Sequence, residues 1–162
     1  MGAPDERRWR QRTDMECTVE WVAGVGGDGM RFVAQTGSGH LLVMDGARAS
    51  RPGEPGGHDL APRPMETVLA GTGGCTAYDV VYILKKGRHD VRGCSVRLQA
   101  ERAAEDPKVF TRIHFHFTVS GRGLNADAVE RAVRLSHEKY CSASAMLAHT
   151  AQFSTSVEIV EA

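Results

Sequence analysis

Residues 65–84 constrain the fold more than any other part of this 162-residue chain. Only Glu66 and Asp79 are charged in this stretch, and its apolar positions do not keep to one helical stripe. A helix that is apolar on every side is either buried in a protein or spans a membrane. Three glycines, the two carboxylates and several neutral Thr and Tyr positions make a lipid-spanning helix costly. The stretch therefore predicts a central buried helix and no membrane partner.

The residues at the two ends of this stretch are typical of helix termini. Pro64 fits the first turn, and Glu66 places a negative charge near the positive end of the helix dipole. Lys85 and Lys86 suit the last turn, and Gly87 suits the residue that follows a helix. The internal glycines lower helix propensity by about 1 kcal/mol each. We therefore expect another backbone to approach the helix closely where side chains are missing.

Alternation of apolar and polar residues predicts strands on both sides of the helix. Three short strands, joined in part by a glycine-rich turn at 24–29, precede it as an antiparallel meander. Two strands, two helices capped by Asn125 and Ser142, and a last strand follow it. The predicted fold class is α+β, in the order βββ–α–ββ–αα–β around one buried helix. Residues 1–14 are predicted to be a mobile extension, and residues 15–162 a single domain.

Proline and glycine mark one long loop just before the helix. Residues 45–64 contain four of the six prolines and four glycines, which excludes a regular helix or strand there. Loops of this length inside a domain are usually functional lids or disordered.

Charge and cysteine content exclude several classes of protein. Twenty Lys and Arg balance twenty Asp and Glu, and a nucleic-acid binder needs a surplus of positive charge. Four cysteines are too few and too widely spaced for a secreted disulfide scaffold, and none forms a CxxC pair. The N-terminus lacks the apolar segment of a secretory signal. These observations favour a cytoplasmic protein.

The four cysteines divide into two pairs. Cys17 and Cys94 fall on the apolar faces of predicted strands, where a cysteine usually packs as a small hydrophobic residue. Cys75 follows two glycines in the helix, so its sulfur is approachable. Cys141 lies at the predicted start of a helix, where the dipole lowers a thiol pKa and favours the reactive thiolate. We therefore expect Cys75 and Cys141 to be reactive, although spacing alone does not show that they meet.

The sequence leaves two roles open for Glu66. It lies nine residues before Cys75, which is about two and a half turns, so the two residues lie on opposite faces of the helix. If both serve one site, a second chain supplies one of them. Otherwise Glu66 acts only as a capping carboxylate or a partner of the helix dipole.

A metal site formed by histidines is the weakest hypothesis. His114 and His116 share one face of a predicted strand, and His137 lies near Cys141. No third ligand occurs at a convincing spacing, and histidines on strand faces are usually solvated. We therefore expect no metal.

Several sequence blocks, in this order, resemble the OsmC/Ohr family of osmotically inducible and organic hydroperoxide resistance proteins. Within that family the chain is most similar to the YhfA branch. The 66-residue separation of Cys75 and Cys141 is also similar to that of the family. The matching blocks are MDG at 44–46, PME at 64–66, GGCTA at 73–77, DVVYILKKGR at 79–88 and LSHEKYCS at 135–142.

This resemblance implies an OsmC-like fold that forms an intertwined homodimer with two sites at the subunit interface. It implies that Cys75 attacks an organic hydroperoxide and becomes a sulfenic acid, which Cys141 resolves as a disulfide. A lipoyl-type dithiol would reduce that disulfide, and Glu66 would position an activating arginine. The resemblance implies no metal and no organic cofactor, because sulfur performs the redox chemistry.

The chain also departs from the family pattern. No motif identifies the activating arginine, although Arg48, Arg51 and Arg63 lie in the loop before the helix. Ser142 follows Cys141, where proline is common in the family. The missing arginine favours an alternative function, in which the dimer is a binding module for small hydrophobic or reactive molecules with little peroxidase turnover.

Overall fold

The computed structural model describes residues 15–22 and 29–162, and its elements follow the predicted α+β order. The N-terminal extension 1–14 and most of the turn at 24–29 lie outside the described residues. One turn of π-helix, Ser136–Tyr140, connects α2 to α3. The elements are β1 (Cys17–Val22), β2 (Arg31–Thr36), β3 (Leu41–Asp45), α1 (Pro64–Lys86), β4 (Asp90–Arg102), β5 (Phe110–Arg122), α2 (Ala126–Leu135), α3 (Ser142–Leu147) and β6 (Gln152–Glu161).

Backbone contacts divide the chain into two compact units, Met1–Thr67 and Val68–Ala162. In the first unit, β1, β2 and β3 form the predicted antiparallel meander, with Phe32 of β2 paired to Trp21 and to Met44. The assignment of residues 15–162 to a single domain stays a prediction.

The prediction that Cys17 packs in the core is wrong. All six residues of β1 are exposed, Cys17 among them. The alternation does place Cys17, Val19 and Trp21 on one face of the strand, as predicted. However, β1 is an edge strand of a three-stranded sheet, and this face stays open in the single chain. Periodicity identifies which residues share a face, but it does not identify what covers that face.

The loop between β3 and α1 folds back on its own beginning. Asp45 is fully buried, and its carboxylate accepts backbone N–H groups from Gly46 (2.8 Å), His58 (3.2 Å) and Leu60 (3.1 Å). Burial alone would raise the pKa of Asp45, but these donors and Arg31 outweigh it and lower that pKa. Asp45 thus holds both ends of the predicted loop together.

In the second unit, β5 is the central strand of a sheet with the order β4–β5–β6. Its inward residues are almost completely buried, as the alternation predicts, and the helix α2 contributes a buried stripe. Since β5 and β6 are parallel, the chain must cross over between them, and α2 and α3 form that crossover. The buried residues are Ile113, Phe115, Phe117 and Val119 of β5, and Val129, Ala132 and Val133 of α2.

The central helix α1 is present, but its burial in the chain is confined to one stripe. Thr72, Thr76, Val80 and Leu84, spaced by four residues, are buried together with Gly73. A Cβ atom on Gly73 would lie 2.6 Å from Leu98 Cδ1, so the expected close approach comes from a side chain. In the described part of the chain, no helix is long and apolar enough to cross a membrane.

Candidate thiol site

Three side chains from two distant parts of the second unit, α1 and the start of α3, meet at one point. The sulfur atoms of Cys75 and Cys141 and a carboxylate oxygen of Asp79 all lie within 4.8 Å of one another. Cys141 is buried, with only 2% of its surface exposed, whereas Cys75 and Asp79 are half-buried. The structure therefore brings the two predicted reactive cysteines together.

Helical spacing places Cys75 and Asp79 side by side on α1. The two residues are four positions apart, so they are neighbours on one face of the helix. Sequence reasoning did not include Asp79 among the site residues. The signal was available, because Asp79 is one of two charged residues in residues 65–84 and follows Cys75 at this spacing.

Backbone hydrogen bonds hold Cys141 at the start of α3. The predicted cap of this helix was Ser142, but the cap is Cys141, whose sulfur accepts the N–H of Ser144 at 3.3 Å. The expected lowering of the Cys141 pKa is also wrong. Burial raises the pKa of Cys141 and the nearby Cys75 thiol adds to this, while hydrogen bonds from Ser144 oppose them. In a six-residue helix, the loss of hydration outweighs the benefit of the helix terminus.

Ser136 connects the two halves of the site. Its hydroxyl group, which is completely buried, donates a hydrogen bond to Asp79 Oδ2 at 2.9 Å. Its backbone carbonyl accepts the N–H of Cys141 at 2.8 Å. One residue of the π-helical turn therefore fixes both the carboxylate on α1 and the backbone of Cys141.

His137, the next residue of the π-helical turn, packs its ring against aromatic side chains. It lies against Phe115, with ring centroids 4.6 Å apart, and against Phe153 at 5.8 Å. Its Nδ1 shares a hydrogen bond with Ser144 Oγ (3.0 Å), and its buried Nε2 has no partner among the described residues. Burial lowers the pKa of His137 and the Asp79 carboxylate partly opposes this. His137 therefore supports the turn as a neutral, mainly apolar side chain.

Cys94, the second of the two cysteines predicted to pack, does not join the site. It is half-buried on β4, and burial raises the pKa of its thiol. A structural role as a small hydrophobic residue fits these surroundings.

Glu66 is a capping carboxylate at the start of α1, which is the alternative role that the sequence left open for it. It is exposed in the first turn of α1, and its Oε2 accepts the backbone N–H of Arg63 at 2.9 Å. This bond satisfies one of the N–H groups that a helix start leaves free. Two of the candidate arginines are paired with acidic neighbours in the same loop, Arg51 with Glu54 and Arg63 with Asp59.

His114 and His116 are engaged by serine hydroxyl groups of the neighbouring strand β6. His114 shares hydrogen bonds with Ser154 (2.8 Å) and Ser156 (3.0 Å), and His116 shares one with Ser156 (2.8 Å). Neither histidine belongs to a group of three potential metal ligands in the described part of the chain. The histidine metal hypothesis gains no support.

This α+β fold is that of the OsmC-like proteins. The family model for "OsmC-like protein" matches residues 56–156, and the chain belongs to this family. It is 46% identical to protein YhfA of Escherichia coli K12 over 148 residues, which are 91% of this chain and all of YhfA.

Solved structures agree with this assignment. A hypothetical protein from Aquifex aeolicus is 26% identical and has a TM-score of 0.73, covering 91% of this chain and 97% of its own. An organic hydroperoxide resistance protein OsmC from Legionella pneumophila is 18% identical, with a TM-score of 0.62, covering 92% and 99%. At that identity, the Legionella structure shows a common fold.

Proposed function

We propose that this protein is a thiol-dependent peroxidase that reduces organic hydroperoxides through Cys75 and Cys141. The observation that carries the proposal is the distance of at most 4.8 Å between the two sulfur atoms. In the first step, the Cys75 thiolate attacks the distal peroxide oxygen, the O–O bond breaks and the alcohol leaves with a proton. Cys75 is thereby oxidised to a sulfenic acid.

In the second step, the Cys141 sulfur attacks the sulfenic acid, releasing water and forming a disulfide. A disulfide needs its sulfur atoms about 2.0 Å apart, so one side chain must move toward the other. A dithiol of the lipoyl type would then reduce the disulfide and restore both thiols. We place this cycle in the cytoplasm, where thiols are kept reduced.

Differences in burial support this order of the two cysteines. Cys75 is half-buried, and among the described residues only its chain neighbours and the local helix backbone lie within 4 Å of the position that a Cβ on the preceding Gly74 would occupy. Cys141 is 2% exposed and held as the cap of α3. A peroxide therefore reaches Cys75 first. Cys141 is suited to react with a group that already lies beside it, which is the sulfenic acid of Cys75.

The relatives support the substrate class without defining it. Solved structures of organic hydroperoxide resistance proteins from Legionella pneumophila and Elizabethkingia anophelis share the fold at 18% and 13% identity. Because both are named organic hydroperoxide resistance proteins, we propose that the substrate of this chain is an organic hydroperoxide and that its role is oxidative stress defence.

We also propose a homodimer, as OsmC-like proteins are generally dimeric. Tyr78 and Tyr82 on α1 are 71% and 55% exposed and stack with their ring centroids 6.2 Å apart. With Gly71 and Cys75, they follow the spacing of one helical stripe. A second chain that covers this stripe would also cover Cys75. If Glu66 and Cys75 serve one site, their helical spacing requires that Glu66 comes from this second chain.

Light scattering after size exclusion tests the dimer. We expect a mass of twice the 17.6 kDa chain, and dissociation to one chain in a Tyr78→Lys, Tyr82→Lys double variant, because two buried charges oppose association. Tyr140→Lys, which alters a tyrosine that is 51% exposed outside α1, should stay dimeric. A wild-type protein that is monomeric at tens of micromolar would contradict the shared site.

One observation favours the binding module as a second candidate. Arg51 and Arg63 are paired with Glu54 and Asp59, and Glu66 binds the backbone of Arg63. If these contacts persist, they withhold two candidate arginines from the thiolate, and turnover would be slow. The dimer could then hold a small apolar molecule in a pocket at its interface.

Oxidation by cumene hydroperoxide separates these two functions. One equivalent should remove two thiols per chain from reduced protein and produce a Cys75–Cys141 disulfide, identified by mass spectrometry. The experiment is best done in a Cys17→Ser background, because the exposed Cys17 would oxidise without any site. Cys94, whose thiol pKa is raised by burial, serves as an internal control and should stay reduced. Survival of Cys75 and Cys141 in several equivalents of peroxide would leave the binding module as the better function.

A further inference from the structure

The Asp79 carboxylate plays no part in the proposed thiol chemistry, yet it lies within 4.8 Å of both sulfur atoms. It forms no salt bridge with any residue that the structure describes. Two thiols and a carboxylate carry three negative charges when deprotonated, and such charges repel one another. This arrangement becomes favourable when a cation lies among the three groups.

The donor atoms match the preferences of one kind of cation. Thiolates are soft ligands that select zinc over magnesium or calcium, and a carboxylate is a common additional zinc ligand. Zinc–sulfur bonds of about 2.3 Å in a tetrahedron place two sulfurs about 3.8 Å apart. Two sulfurs that already lie within 4.8 Å of each other therefore need to approach by at most about 1 Å.

Surrounding hydrogen bonds hold the ligands in place. Ser136 Oγ donates to Asp79 Oδ2, and the Ser144 N–H donates to the Cys141 sulfur. Hydrogen-bond donors that contact the ligands in this way orient metal ligands in known sites. Cys75 and Asp79 are four residues apart on one helix, and Cys141 is held at the start of α3, so the three protein ligands lie near one point before a metal binds.

We propose that the reduced protein binds one Zn²⁺ per chain through Cys75, Asp79 and Cys141, with water at the fourth position. Binding releases the two thiol protons and forms two zinc–sulfur bonds, so no electron is transferred. The same sulfurs cannot hold zinc and form a disulfide at once, so the metal-bound state is a reduced state. This proposal does not depend on peroxidase activity, because zinc can bind whether or not peroxide is reduced.

Metal titration of phosphine-reduced protein tests the site. A Cys17→Ser, Cys94→Ala background leaves Cys75 and Cys141 as the only thiols. In competition with a chromophoric chelator, we expect one Zn²⁺ per chain. Co²⁺ in its place should give the near-ultraviolet charge-transfer absorption of two thiolates. This measurement on protein with an unaltered site remains decisive even if a site variant fails to fold.

Variants then identify the ligands. Cys141→Ser should remove the two-thiolate Co²⁺ absorption, and Asp79→Asn should weaken Zn²⁺ binding by at least about tenfold. Asp127→Asn, which changes an exposed carboxylate in the first turn of α2, should leave the affinity unchanged. Absence of the charge-transfer band, or equal affinity of Asp79→Asn and the parent protein, would overturn the three-ligand site.

Discussion

A Cys75→Ser variant is expected to lose reduction of cumene hydroperoxide by more than about 100-fold, because a serine hydroxyl cannot become a sulfenic acid. The residue lies on α1, in a position where the sulfur is half-buried and within 4.8 Å of Cys141. Serine differs from cysteine by one atom of similar size, so the helix and its packing should change little. Peroxide consumption in the presence of a dithiol measures the effect.

The matched control is Cys94→Ser, which alters another half-buried cysteine in the same unit. If peroxide reduction depends on Cys75 and not on Cys94, this variant should keep the parent rate. Similar rates in Cys75→Ser and the parent protein would place the reactive thiol elsewhere. Equal losses in both variants would instead indicate a general effect of cysteine replacement on the fold.

The sequence predicts the elements of this fold well because most of them depend on local patterns. Asn125 caps α2 through its side chain, which accepts the N–H of Ala128, as predicted from its residue type alone. The inward residues of β5 are buried because successive side chains of a strand point to opposite faces of the sheet, and one face of this strand is covered. The ends of α1 follow from its terminal residues, with Glu66 in the first turn and Lys85 and Lys86 in the last turn.

The features that the sequence could not predict depend on contacts between distant residues. Cys17 has the same alternation as a core residue, but its strand is at the edge of a sheet, so it is exposed. The pKa of Cys141 is raised because folding removes water from its sulfur, which outweighs the local effect of the helix start. Helical spacing places Asp79 beside Cys75, but its contact with Ser136 depends on a π-helical turn that helical patterns do not predict.

A Cys141→Ser variant is expected to separate the two steps of the cycle. Cys75 should still react with the first equivalent of peroxide, because its own surroundings on α1 are unchanged. Without a neighbouring thiol, the sulfenic acid cannot close to the Cys75–Cys141 disulfide. Excess peroxide should then convert it to the sulfinic acid, which the dithiol does not reduce. Turnover should stop after the first cycles, with Cys75 two oxygen atoms heavier by mass spectrometry.

Trapping of the intermediate makes this result distinct from a loss of folding. In the Cys17→Ser background, a dimedone-type reagent should label Cys75 in Cys141→Ser after one equivalent of peroxide, and should not label the Cys75→Ser protein. Ser142→Ala is a suitable control, because Ser142 adjoins Cys141 while the cap of α3 is Cys141 itself. Full turnover in Cys141→Ser would show that the dithiol reduces the sulfenic acid directly. Cys141 would then have no resolving role, and its position beside Cys75 and Asp79 would be explained by the metal site alone.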